Sequence, residues 1–199
     1  MSSAFNQTPS LSTSHSNTSK ALIDTTVLCG AIRKPGGINE SILTLARASI
    51  LFTPVLSKVC LLEFQRKAID GLGNIAYSPD EVERYINGFI YPILDDHPPV
   101  NSVVGRYSIE TVLREHRPIK EVLELLSGYT LKEVDDLAAN QELSEPLYSF
   151  DQNDFHVWAT AIQTDCHYMV TANSKRFPKK IGTIQRIHPS DFYNMLTGE

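Results

Sequence analysis

No apolar run reaches the ~18–20 residues that a membrane-spanning helix requires, so no membrane span is expected. Cysteine is scarce. Cys29, Cys60 and Cys166 are odd in number and no two have CxxC spacing, so they read as reduced, core-filling thiols in a reducing compartment. Basic charge is not in surplus: 18 Lys and Arg against 23 Asp and Glu leave a net charge of −5. That balance excludes coating a polyanion through bulk charge, though not a local basic patch. No internal repeat is visible. Residues 1–20, "MSSAFNQTPSLSTSHSNTSK", lack the basic and apolar regions of a secretory signal. They also hold too little apolar material to offset the entropy of ordering. A disordered tail over 1–20, a single folded unit over 21–199 and a cytoplasmic location are therefore expected.

Hydrophobic residues make up 42% of the 199, enough for one domain with a real core. "ALIDTTVLCGAI" (residues 21–32) reads as an apolar strand interrupted by Asp24. Asn39 is positioned to cap a helix through Ser49, with Ile42, Leu45 and Ala46 on one face. "ILFTP" reads as a strand, and Thr53-Pro54 as the cap and first position of a helix that stops at Gly71 and Gly73. Ser78-Pro79-Asp80-Glu81 is a capping box opening a helix to about Leu94. Pro98 and Pro99 force a loop. Helices are expected over 107–115, 118–126 and 131–140, then over "NDFHVWATAIQTD". "YMVTA" reads as a buried strand, "FPKK" as a loop, "TIQRI" as a last strand, and Pro189 as the start of a closing helix. Alternating strands and helices predict an α/β fold with a mainly parallel sheet covered on both faces.

Several polar residues stand where they are costly. Asp24 sits inside apolar sequence, where a carboxylate needs partners or a metal, although capping the next turn would serve as well. Glu63, three residues past Cys60 and beside Phe64, borders the apolar stripe of its helix. Asp154 opens the Trp158 helix, a common place for an acid that meets the helix dipole. Asn173 follows the "YMVT" strand and suits a turn. Thr25, Thr26 and Thr171 are strand-end hydroxyls, each uninformative alone. Together these residues say more, because parallel sheets bind ligands beyond the carboxyl ends of their strands. Two acids ~4 Å apart repel by ~4 kcal/mol at an effective dielectric near 20. A hard cation with oxygen ligands, Mg²⁺ or Mn²⁺, would relieve that repulsion.

Charge is uneven along the chain. Residues 110–154 carry eleven acids and four bases, whereas 174–199 carry five bases and two acids. The basic run Lys175, Arg176, Lys179 and Lys180 suits phosphate contacts or a solvated loop equally well. Arg33 and Lys34 are weaker candidates for the same contacts. Trp158 is expected in the core, and His156 at the surface or just behind the site.

Two blocks resemble the PIN domain family, which includes VapC-type toxins and related bacterial nucleases. The first is "LIDTTVLCGAI" followed by "TPVLSKVCLLEFQRKA"; the second is "DFHVWATAIQTDCHYMVTANSKRFP" with the closing "IHPSDF". The resemblance spans about residues 21–70 and 150–193. It implies a PIN-like three-layer domain and a Mg²⁺- or Mn²⁺-dependent endoribonuclease, the toxin of a toxin–antitoxin pair. Asp24, Glu63 and Asp154 then match the family's acidic metal site and Asn173 its polar position. Asp24 and Asp154 would ligate directly, and Glu63 would bind metal or orient water. Thr25, Thr26, Lys175, Arg176 and Lys179 would contact substrate. RNA, a small antitoxin protein and a homodimer are the implied partners.

The chain departs from the family in three places. Thr26 replaces the usual Asn or Ser. Asn173 and Arg176 stand where the fourth acid is expected, which implies reduced activity. Residues 93–147 form a longer helical insertion. A catalytically degenerate PIN domain that binds RNA or protein is the alternative expectation. A dehalogenase-type phosphatase is disfavoured, because its second Asp would have to stand at Thr26.

Overall fold

The structure, a computed structural model, describes residues 18–100, 130, 132, 154–173, 177, 179–181 and 183–199. The expected helices over 107–115, 118–126 and 131–140, most of the 93–147 insertion and nearly all of the 1–20 tail lie outside the described residues. The chain is α/β. Strand β1 (Lys20–Ile23) leads into helix α1 (Thr25–Arg33), α2 (Ile38–Ala48), strand β2 (Thr53–Val55) and α3 (Lys58–Asp70). A further helix starts as α4 (Pro79–Tyr85), passes through a π-helical turn at Ile86–Ile90 and ends as α5 (Tyr91–Leu94). Then come α6 (Phe155–Gln163), β3 (Tyr168–Val170), β4 (Lys180–Ile181), β5 (Ile184–Ile187) and α7 (Pro189–Thr197).

Four strands, in the order β2-β1-β3-β5, are all parallel, and β4 adds a short antiparallel edge beside β5. Leu22 aligns with Val55 on one side and Met169 on the other, and Met169 with Arg186. Ala21 and Ile23 join the main core with residues of α1, α2, α3, α4, α5 and α7. Leu22 points to the opposite face by the two-residue period of a strand. Helix α6, which packs on β1 and β3, lies apart from that main core, so helices cover both faces.

Four expected boundaries moved. The run at residues 21–32 is not one strand: β1 ends at Ile23 and α1 begins at Thr25. Val27, Leu28, Ala31 and Ile32 are the buried positions, a helical spacing hidden inside a continuously apolar stretch. Thr53-Pro54 does not start a helix. Both residues pair with β1 as an edge strand, where the missing N–H of proline is tolerated. Ser57 caps α3 instead, its Oγ accepting from the Cys60 backbone N–H at 3.0 Å. Lys180, expected in a loop, belongs to β4, whose two residues are too few to show a period. Helix α2 starts at Ile38 behind Gly37 rather than behind Asn39. The capping box is present: Ser78 Oγ accepts from Glu81 N–H at 3.3 Å, and Glu81 Oε2 accepts from Ser78 N–H at 2.8 Å.

Helix α7 packs into the main core on one face of the sheet. Phe192, fully buried, meets Phe52 edge-on at 5.0 Å between ring centres and Tyr168 at 5.8 Å. Phe192→Ala is expected to cost about 3–5 kcal/mol, the range for emptying a buried aromatic site. Urea denaturation of the two proteins measures this, and a loss below about 1 kcal/mol would contradict the packing role.

Candidate functional site

The order β2-β1-β3 makes the chain leave β1 to one side and return on the other. A parallel sheet opens a crevice at such a reversal, beyond the carboxyl ends of the strands. Asp24 follows β1 directly, and its N–H donates to Val170 O of β3 at 3.1 Å. Thr171 follows β3, and its N–H donates to Ile187 O of β5 at 3.1 Å. These ladder bonds carry Asp24 and Thr171 side by side to the mouth of the crevice.

Asp24 is only 4% exposed, so its carboxylate must be satisfied within the protein. Two hydroxyls do this. Thr26 Oγ1 and Thr171 Oγ1 each donate to Asp24 Oδ2 at 2.7 Å. The two hydroxyls are 3.3 Å apart. Ala172 N–H donates to Thr26 Oγ1 at 3.0 Å, and Asn173 N–H to Thr171 Oγ1 at 3.0 Å. Asn173 Nδ2 then reaches Asp154 Oδ2 at 3.4 Å. Asp24, Thr26, Thr171, Asn173 and Asp154 thus form one hydrogen-bonded chain, although Asp24 and Asp154 are 130 residues apart in sequence.

Neither acid caps its helix. Asp24 precedes α1 and Asp154 precedes α6, yet neither side chain accepts a capping hydrogen bond. Both bring negative charge to a helix start, where the partial positive charge of the macrodipole favours it. Asp24 Oδ1 accepts no hydrogen bond among the described residues, since both hydroxyls use Oδ2.

Glu63 forms the second part of the site. Thr25 Oγ1 donates to Glu63 Oε2 at 2.8 Å, which ties α3 to the residue after Asp24. Lys67 Nζ lies 3.9 Å from the same oxygen. His156 Nε2 lies 3.5 Å from Glu63 Oε1. Burial alone would raise the Glu63 carboxyl, but His156, Lys67 and the Thr25 hydroxyl outweigh it and hold it down at about 2. Burial alone would lower His156, but Cys60 and Glu63 beside it push it up to about 10. The pair is therefore carboxylate and imidazolium. Neither His156 nitrogen has a hydrogen-bond partner among the described residues, so the attraction is electrostatic rather than aligned.

Of the two places expected for His156, the surface or just behind the site, its burial at 2% exposed fits the second. Most of the described positions of its helix are enclosed: His156, Val157, Trp158, Thr160, Ala161 and Ile162 are all buried. Thr171 is a residue that sequence reasoning undervalued, because a lone strand-end hydroxyl carries no signal until its partner is placed. Lys179 is exposed and lines a cavity of about 380 Å³ with Thr171, Arg186 and His188. Lys175 and Arg176 lie outside the described residues.

Among the described residues, no three His, Cys, Asp or Glu side chains converge where one metal ion would sit. Mg²⁺ does not demand three. It keeps several waters and is commonly held by one or two carboxylates together with substrate phosphates. The all-oxygen set around Asp24 and Asp154, with Asp24 Oδ1 uncommitted, suits a hard cation of that kind.

Two stability measurements follow from this geometry. Thr171→Val keeps the shape but removes a hydrogen bond to a buried charge, which costs about 1.5–3 kcal/mol. Urea denaturation in metal-free buffer should show that loss; an unchanged midpoint would mean that Thr171 does not hold Asp24. The Glu63–His156 pair also has a defined pH window. Glu63 is lowered from 4.5 to about 2, so its contribution is present above pH 4.5 and disappears as pH falls through 2. His156 is raised from 6.5 to about 10, so its contribution is full below pH 6.5 and is lost as pH rises through 10. Metal-free protein is expected to exceed His156→Gln in stability by the largest margin between about pH 4.5 and 6.5, with the margin shrinking toward pH 10. A margin that is flat across this range would refute the charge state assigned to the pair.

No protein-family model matches the chain, and neither curated proteins nor solved structures provide a match.

Proposed function

We propose that this protein is a PIN-like, Mg²⁺- or Mn²⁺-dependent endoribonuclease, acting in the cytoplasm as the toxin of a toxin–antitoxin pair. The observation that supports it is the pair of helix-start acids, Asp24 and Asp154, which cap nothing and are linked through Thr171 and Asn173 at the mouth of the crevice. A helix-start acid ordinarily spends its carboxylate on the helix. Two that do not, in one hydrogen-bonded chain with an open oxygen on Asp24, make an oxygen-rich setting that would suit a hard cation.

In this reading Asp24 and Asp154 hold the cation. When bound, a divalent cation there would stabilise the charge that grows on a phosphodiester and acidify a water molecule. The chain's own residues do the rest. Thr26 and Thr171 fix the orientation of Asp24 by occupying Oδ2, which leaves Oδ1 toward the ligand. Asn173 holds Asp154 through its amide. Glu63, ionised well below neutral pH, stands as an anion that would orient a water by accepting its hydrogen bond. Lys179 offers positive charge to an RNA backbone, with Lys175 and Arg176 near it in sequence. The implied partners are RNA, a small antitoxin protein covering the acidic cleft, and a second copy of the chain.

One observation favours a second reading, a degenerate PIN-like module that binds RNA or protein without cleaving it. Glu63 is already engaged by Thr25, Lys67 and His156, and Arg176 stands where the family's fourth acid is expected. A cleavage assay with single-stranded RNA and Mn²⁺ separates the two. The nuclease reading expects Mn²⁺-dependent cleavage that EDTA abolishes and that Asp24→Asn lowers at least about 100-fold, in line with loss of a charge-stabilising group. RNA binding without cleavage would favour the module, and equal cleavage by both proteins would expose a contaminant.

A further inference from the structure

We propose that His156 is a positioning residue for Glu63, which it holds beside the Asp24–Asp154 pair as a fixed anion that is not itself a cation ligand. This inference rests on the nuclease reading and deepens it. An imidazole has two ring nitrogens, and a buried one normally finds a hydrogen-bond partner for at least one of them. His156 is 2% exposed, and both Nδ1 and Nε2 lack such a partner among the described residues. Its nearest anion is Glu63, with Nε2 3.5 Å from Oε1. A polar side chain so enclosed costs stability unless its neighbours compensate; Cys60 and Glu63 lie beside it, and Glu63 is the one of the two that carries charge.

The two oxygens of Glu63 are spoken for from different elements. Oε1 faces His156 of α6, and Oε2 accepts from Thr25 of α1 at 2.8 Å. Lys67, one turn along α3, adds a weaker pull on Oε2 at 3.9 Å. Asp24 differs, because both of its hydroxyl donors share one oxygen and the other is left open. Among the described residues Glu63 does not converge with Asp24 and Asp154 on one ion position, and it is held in place from two other elements. It is well suited to stand at a fixed distance and bind the hydrogen of an attacking water.

The Asp154-x-His156 spacing makes this economical. One helix start supplies a cation-holding acid at Asp154. The same helix, two residues on, turns an imidazole inward to Glu63.

The test is a double-mutant cycle on the full chain with His156→Gln, Glu63→Gln and the double variant, plus Glu63→Asp. Glu63→Asp draws the carboxylate back from Nε2 without touching the core. Three quantities are measured: Mn²⁺ affinity by calorimetry, RNA cleavage at saturating Mn²⁺, and urea-denaturation midpoints. Mn²⁺ affinity is expected to stay within about 3-fold of wild type in all four variants. Cleavage is expected to fall about 30-fold or more in each single variant, and His156→Gln should add less than about 3-fold in the Glu63→Gln background. Non-additive losses of this kind are the signature of two residues acting as a unit. Multiplicative losses would show that His156 acts independently of Glu63 and would overturn the proposal. So would a tenfold or greater drop in Mn²⁺ affinity on Glu63→Gln, which would make Glu63 a ligand. If His156→Gln proves too unstable to assay, Glu63→Asp decides the matter, because wild-type cleavage by that variant contradicts positioning. Failure of wild-type protein to bind Mn²⁺ or cleave RNA would bring down the functional reading and this inference with it; additive losses in an active enzyme bring down this inference alone.

Discussion

The structure depends on one costly placement: the Asp24 carboxylate, nearly enclosed at the end of the central strand. A buried charge without partners is worth several kcal/mol against folding. Two threonine hydroxyls, from α1 and from the end of β3, carry that burden through the same oxygen. Because Thr171 is placed by the β3–β5 ladder and Asp24 by the β1–β3 ladder, the parallel register itself sets the geometry of the acid. A slip of one residue would turn these strands inside out and separate the carboxylate from its donors.

The site divides into two parts with different electrostatics. The Asp24–Asp154 part contains hydroxyls, an amide and two helix starts, all of which favour negative charge without neutralising it. The Glu63 part contains an imidazolium and a lysine, which neutralise it. The Asp24 carboxylate thus keeps one oxygen open among the described residues, whereas both oxygens of Glu63 face partners. In the proposed reading the two aspartates take the cation and Glu63 has a different task.

Legibility in the sequence followed the length of the pattern. The capping box at Ser78, the Trp158 helix and the strand before Thr171 were readable because several residues agree on each. The split of residues 21–32 into β1 and α1 was not, because an apolar run hides whether its period is two or nearly four. Asp24 and Asp154 could be singled out as carboxylates in expensive places. Their shared dependence on Thr171 and Asn173 could not, because that pairing is created only when distant strands align. His156 left two places open, the surface or just behind the site, and only the packing of α6 decides between them.

The central claim is that Asp24 and Asp154 together hold a divalent cation. Calorimetric titration of wild-type protein with Mn²⁺, set against Asp24→Asn and Asp154→Asn, tests it without recourse to any substrate. The account predicts saturable binding by wild type, with a matching rise in melting temperature by mass action, and loss of both signals in each variant. Absence of binding by wild type, or binding that survives either substitution, would contradict it.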